Sequence, residues 1–240
     1  MFEREHGVII ACDVDTIDEL RNLVENTYDI EGIVGYKIGS ILALRHGLST
    51  VADKIRKHTD LPLIYDHQKL GADIPEICGE KIINICEEAD VKAIIMFPFS
   101  GIETLKKAVK TCKEKKLTLI IGGEMTHKGY LRKEGGYLTS KAIERMYLDA
   151  AKLGVNHFVV PGTKPNRMRR YKTLLEDFIK EPSFFFPGIG KTYQGGDINN
   201  AFKAVRPYPS YAIVGRAIYM ARDKREAAKK LCEVALSLMW

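Results

Sequence analysis

Short apolar, β-branched runs alternate with longer stretches of helical period from one end of the chain to the other. The runs predict strands near Gly7–Asp13, Gly35–Gly39, Leu61–Asp66, Ala93–Phe97, Thr118–Gly122, His157–Pro161, Ser183–Ile189 and Tyr211–Gly215. Between them the period changes to that of helices, near Thr16–Asn26, Ile41–His58, Pro75–Glu88, Ile102–Lys115, Ser140–Leu153, Arg170–Phe178, Ile198–Val205 and Lys224–Leu238. Punctuation supports these limits: Ser100 stands where a cap belongs before Gly101-Ile102-Glu103, and Gly154 follows Lys152-Leu153 as a helix terminator. Strand-then-helix units repeated without a Pro/Ser linker or a break in composition predict an α/β protein, a single parallel (β/α)8 TIM barrel spanning 1–240 as one domain. A doubly wound open sheet is the alternative. Against it, the first strand, Ile9-Ile10-Ala11-Cys12-Asp13, ends in an acid and no GxGxxG follows.

Composition narrows the class. The length of 240 residues suits such a barrel, usually about 250 residues. A hydrophobic fraction of 45% with 28% charged residues describes a globular chain with a substantial core. The net charge of +6 is spread along the sequence, and its densest cluster runs from Lys164 to Lys172. That cluster has no interleaved aromatics and belongs to no nucleic-acid module, so no nucleic-acid partner is expected; excess positive charge suits an anionic small molecule instead. Five cysteines (Cys12, Cys78, Cys86, Cys112 and Cys232) are odd in number and lack CxxC spacing, as in reduced, buried thiols. Met1-Phe2-Glu3-Arg4-Glu5 has no signal-peptide character, and no apolar run approaches the roughly 18 residues that span a bilayer. A cytoplasmic protein without a membrane partner is expected.

In a parallel barrel the βα loops at the C-terminal strand ends build the site. Asp13, Lys37, Asp66, Lys69, Glu124, Thr126 and His127 all fall at such ends and are expected to converge on one mouth. The densest charge lies in Tyr65-Asp66-His67-Gln68-Lys69-Leu70-Gly71-Ala72-Asp73-Ile74, directly after an apolar run. Charges placed where a buried strand ends are costly unless they pair or do chemistry, and acids flanking a lysine can keep it protonated and aim its proton. At the other end of the mouth, Pro187-Gly188-Ile189-Gly190 leads through Lys191 and Thr192 to Gln194-Gly195-Gly196-Asp197, and the last strand ends in Gly215-Arg216. Loops after the seventh and eighth strands are the usual phosphate cradle of this fold; glycine N–H groups and an arginine fork suit phosphate oxygens.

Taken together these segments resemble the orotidine 5′-monophosphate decarboxylase family, particularly its short microbial form. The resemblance runs in order through Cys12-Asp13, Tyr36-Lys37-Ile38-Gly39, Glu124-Met125-Thr126-His127 with Gly129, the glycine-rich segment from Pro187 to Asp197, and Val214-Gly215-Arg216-Ala217-Ile218-Tyr219. It departs at the central motif. The family spaces its charges Asp-x-Lys-x-x-Asp, whereas here each interval is one residue longer, Asp66-x-x-Lys69-x-x-x-Asp73, so a bulge or turn must bring Asp66 and Lys69 together. The phosphate loop is longer too. The resemblance implies decarboxylation of orotidine 5′-monophosphate without a cofactor or metal, in a homodimer with composite sites. It implies Asp66, Lys69, Asp73 and Lys37 as the catalytic charges. Asp13 would bind ribose, Thr126 the pyrimidine edge, and Gln194, Gly215 and Arg216 the phosphate, with Pro187 and Gly195 in the same loops. Two other readings stay open. Metal-dependent sugar-phosphate decarboxylases and synthases of the same wider group carry a glutamate where Lys37 stands, and a non-catalytic phosphate-binding relative would account for the stretched motif.

Overall fold

A computed structural model describes residues 2–190 and 196–238, and within them the side chains of all but Gln68, Lys69 and Asp197. Eight parallel strands close into a barrel in the order of the sequence: β1 (His6–Cys12), β2 (Ile33–Gly39), β3 (Leu63–Asp66), β4 (Ala93–Met96), β5 (Thr118–Gly122), β6 (His157–Val159), β7 (Ser183–Pro187) and β8 (Ser210–Val214). The last strand pairs with the first, Ile213 opposite Ile9, which leaves no edge. Ten α-helices lie among the described residues: α1 (Ile17–Glu25), α2 (Ser40–His46), α3 (Leu48–Arg56), α4 (Ile82–Glu88), α5 (Ile102–Glu114), α6 (Ser140–Lys152), α7 (Pro165–Glu176), α8 (Gly196–Val205), α9 (Arg216–Tyr219) and α10 (Lys224–Leu236).

The strands are buried on both faces and their side chains part by the two-residue period. Ile9, Ala11, Ile64, Ile95, Ile120, Phe185 and Ile213 fill the barrel, while Val8, Ile10, Tyr36, Ile38, Tyr65 and Ile94 pack outward against the helices. Phe2 stops the lower end, its ring centroid 4.5 Å from that of Tyr211 and 6.0 Å from that of Phe185. One irregularity matters for the site. Val8 faces Ile33 but Ile9 faces Gly35, so β2 holds an extra residue there, and above it Lys37 falls on the inward row while Tyr36 and Ile38 face out.

The helices hold where sequence signals were complete and shift where one was misleading. Thr16 and Glu19 form a capping box on α1, and Thr139 and Asp223 cap α6 and α10. The expected helix Ile41–His58 is two, because Gly47 takes φ +80° and ends α2 before α3 begins. The helix expected from Arg170 starts at Pro165: proline fits the first helical turn, where its missing N–H has no partner to lose. The segment expected to be helical from Pro75 opens as a π turn over Ile77–Lys81 before α4. Ser100 does not cap α5; its Oγ donates to Gly71 O at 2.8 Å. The five cysteines are free and buried, and no described helix is long and apolar enough to cross a membrane.

Candidate active site

At the C-terminal mouth of the barrel lies a cavity of about 640 Å³. Ala11 and Asp13 from β1 and its loop, Lys37 from β2 and Asp66 from β3 line one side; Pro187–Gly190 and Gly215–Ala217, with Tyr219, line the other. The expected residues Asp13, Lys37, Asp66, Pro187, Gly215 and Arg216 thus meet in one cavity. Its size is within the usual range for small-molecule sites, roughly 300–1,000 Å³.

The floor is a charge cluster. Lys37 is 6% exposed, and its Nζ lies 3.0 Å from Asp13 Oδ1 and 3.0 Å from Asp66 Oδ2. Burial alone would push the Lys37 ammonium towards neutrality, but the carboxylates of Asp66 and Asp13 outweigh it and raise its pKa above the ordinary value. The lysine is therefore a fixed cation. Asp66 keeps a second oxygen, Oδ1, buried and without a hydrogen-bond partner among the described residues. Gly39 makes this floor possible: a Cβ there would stand 2.6 Å from Asp13 Oδ1.

After Asp66 the chain turns at once. Gln68–Ala72 form a 3-10 helix, the turn that the long spacing of the motif required. Gly71 O accepts from Ser100 N at 2.7 Å and from Ser100 Oγ at 2.8 Å, which pins this turn to the loop after β4. The backbone of Lys69 lies in it, while its side chain is outside the described residues. Asp73 does not enter the cavity of its own barrel. It is exposed beyond the 3-10 helix, where its N–H donates to Cys78 Sγ at 3.2 Å and its Oδ1 accepts from Ile74 N at 2.7 Å. Gln194 and Gly195 lie outside the described residues, as do Lys191, Thr192 and Tyr193.

The fifth loop departs from expectation. Thr126 stands beside the mouth against Gly188, whereas Glu124 is not a mouth group: its side chain is fully buried against α7. Lys164 Nζ reaches its Oε1 at 3.0 Å, Arg167 Nε its Oε2 at 2.7 Å, and the Tyr171 hydroxyl also donates to Oε2. Burial raises the Glu124 pKa, but the bonds from Tyr171, Arg167 and Lys164 win and hold it below the usual glutamate value. His127 is exposed, edge-on to the Tyr130 ring. The basic cluster seen in the sequence is largely consumed by such pairs, Lys164 and Arg167 with Glu124, Arg170 with Glu144, and Lys172 with Glu176. Gly39, Ile189 and Tyr219 stand in the sequence motifs without a role of their own, whereas Ala11, Ile213 and Met220, which also line the cavity, were not singled out at all; Gly39 carried a signal, a glycine two residues after an inward lysine in a strand.

A closed parallel barrel with a charged floor under β1–β3 and a glycine-rich rim after β7 and β8 is the arrangement of a barrel enzyme site suited to an anionic small molecule. The sequence model of the orotidine 5′-phosphate decarboxylase / HUMPS family matches residues 7–231, and the chain belongs to that family. Among curated relatives, the orotidine 5′-phosphate decarboxylase of Pyrococcus furiosus is 35% identical over 94% of this chain and 96% of its own length. That of Methanococcus maripaludis strain S2 is 31% identical over 94% and 96%. A crystal structure of orotidine 5′-monophosphate decarboxylase from Methanocaldococcus jannaschii, complexed with the inhibitor BMP, superposes with a TM-score of 0.81 at 29% identity, covering 95% of this chain and 98% of that one.

Proposed function

We propose that this chain converts orotidine 5′-monophosphate to uridine 5′-monophosphate and carbon dioxide, as a carbon–carbon lyase of pyrimidine biosynthesis that needs no cofactor. The observation that carries the reading is the buried Lys37 ammonium 3.0 Å from each of Asp13 and Asp66 at the cavity floor. The metal-dependent relatives carry a glutamate where Lys37 stands, and hard cations take oxygen ligands, not an ammonium. The bond from C6 to the carboxylate breaks, carbon dioxide leaves, and the electron pair stays on C6 until a proton reaches it.

In this reading Asp66 sits beside the departing carboxylate, and the crowding of like charges is relieved as carbon dioxide leaves. Lys69 delivers the proton to C6. Lys37 and Asp73 complete the alternating charges that keep Lys69 protonated. Asp13 binds ribose hydroxyls, and Thr126 the pyrimidine edge. The phosphate rests on Gln194, Gly195, Gly215 and Arg216, beside Pro187; the described part of that rim supports the role because it presents two loop backbones and an exposed guanidinium to the cavity.

Asp73 acts in the site of a second copy, and the working unit is a homodimer in the cytoplasm. Its exposure outside its own cavity supports this, as do exposed apolar side chains on the neighbouring βα segments, Ile41 (53%), Leu44 (79%) and Ile74 (57%). The test is incubation of the purified protein with orotidine 5′-monophosphate and a chelator. Stoichiometric uridine 5′-monophosphate and carbon dioxide are expected. Activity lost to chelator and restored by Mg²⁺ would instead point to the sugar-phosphate enzymes of the wider group.

A further inference from the structure

We propose that Glu124 is a positioning residue for this reaction: it clamps the fifth loop to α7 and so fixes Thr126 against the first turn of the phosphate rim. The inference rests on the reading of the site given above. Glu124 touches none of the residues that line the cavity floor, yet it is among the few buried charged side chains and takes hydrogen bonds from Lys164, Arg167 and Tyr171. A carboxylate is removed from water at great cost unless it is paired and fully bonded, as this one is. The Arg167 guanidinium also lies 4.8 Å above the Tyr171 ring, which leaves the donor group little freedom.

The clamp has a second jaw one residue away. Thr163 Oγ1 donates to Thr126 O at 3.4 Å, so the consecutive residues Thr163 and Lys164 grip the fifth loop at Thr126 and Glu124. From the other side the Tyr130 hydroxyl donates to Gly123 O at 2.7 Å. Between the jaws, Met125 packs on the barrel interior. Three successive residues are thereby held in different directions: Glu124 to α7, Met125 to the barrel, Thr126 to Gly188. The last contact is close, since a Cβ on Gly188 would stand 3.0 Å from Thr126 Cγ2. Gly188 follows Pro187 on the cavity wall, so the loop assigned to the pyrimidine edge and the loop assigned to phosphate share this contact. Loosening Glu124 therefore disturbs both ends of the ligand while leaving Lys37, Asp13 and Asp66 where they are.

Glu124→Gln keeps the shape and removes the charge. Expected is a rise in KM for orotidine 5′-monophosphate of about tenfold or more with kcat within about threefold of wild type, as charge-assisted hydrogen bonds of this kind allow. Hydrogen exchange should quicken in segments 123–130 and 160–165 of the free protein and stay unchanged in β1 to β3. A merely structural role would lower the melting temperature without moving KM, and that result overturns the inference. Should Glu124→Gln not fold, Lys164→Met removes one of the three donors and should raise KM by about threefold; an unchanged KM in that variant is likewise contrary. Wild-type protein without decarboxylase activity overturns the reading of the site and this inference with it. Wild-type activity with unchanged KM in the variants overturns the inference alone.

Discussion

Lys37 Nζ lies 3.0 Å from Asp66 Oδ2, in a pair whose side chains are 7% and 10% exposed. Such a pair is a weak source of stability, because desolvating two ions offsets their attraction; what it secures is an orientation. The carboxylate is held with Oδ2 on the lysine and with Oδ1 buried, without a hydrogen-bond partner among the described residues. Lys37→Met should therefore cut kcat/KM at least about a hundredfold, close to the roughly 3 kcal/mol lost when one partner of a buried pair is removed. Steady-state kinetics on a variant with a wild-type circular dichroism spectrum checks this. A fall of less than tenfold would show that Asp66 is oriented by something else.

Gly39→Ala probes the same floor without touching a charge. The added methyl would meet Asp13 Oδ1 at 2.6 Å and must drive that carboxylate from Lys37. Weaker substrate binding is expected, a KM raised by about tenfold for the loss of one charge-assisted hydrogen bond. Binding of uridine 5′-monophosphate, followed by calorimetry, should weaken in parallel. Equal affinity in the two proteins would remove Asp13 from ligand binding.

Composite sites give an arithmetic test. Lys69→Ala and Asp73→Asn, each inactive alone, are mixed after separate purification, dissociated and reassociated. A hybrid dimer rebuilds one intact site, from the Lys69 of one chain and the Asp73 of the other. About a quarter of wild-type activity should return from a random equimolar mixture, since half the dimers are hybrids with one working site of two. No recovery would place Asp73 outside the catalytic array.

His157, in β6, sits edge-on to Phe185 with its Nδ1 unpartnered among the described residues, and burial lowers its pKa from 6.5 to about 4. The unfolded chain thus binds a proton that the folded chain refuses. Between pH 6.5 and 4 stability must fall as pH falls, by up to about 3 kcal/mol from this group. Urea unfolding at intervals across that window should show the loss, and His157→Gln should flatten it. An unchanged slope in the variant would assign the acid sensitivity elsewhere.

Much of the fold is legible in the sequence because its strands are buried on both faces and stand out as apolar runs: all eight appear within two residues of their predicted ends. The misread helices have local causes. Gly47 sits within an otherwise continuous helical pattern and carries no mark that it takes positive φ. Pro165 looks like a breaker although it opens α7. At the site, Asp13, Lys37, Asp66 and Arg216 were readable because strand order places them at one end of the barrel. Glu124 was not, because strand period tells which way a side chain faces and not what meets it there; its partners lie 40, 43 and 47 residues later. Asp73 was assigned from the family motif to a composite site shared with a neighbouring subunit; the turn over Gln68–Ala72 leaves it exposed outside the cavity of its own barrel.

Lys69→Ala tests the central claim, that charge on this barrel floor decarboxylates the nucleotide, most directly. The substitution removes the only lysine between Asp66 and Asp73 and leaves the residues assigned to ribose and phosphate unchanged. Single-turnover measurement on the folded variant should show decarboxylation slowed by at least about a thousandfold, within the range general acid catalysis supplies, with uridine 5′-monophosphate still bound near wild-type affinity. Decarboxylation within tenfold of wild type would contradict the account.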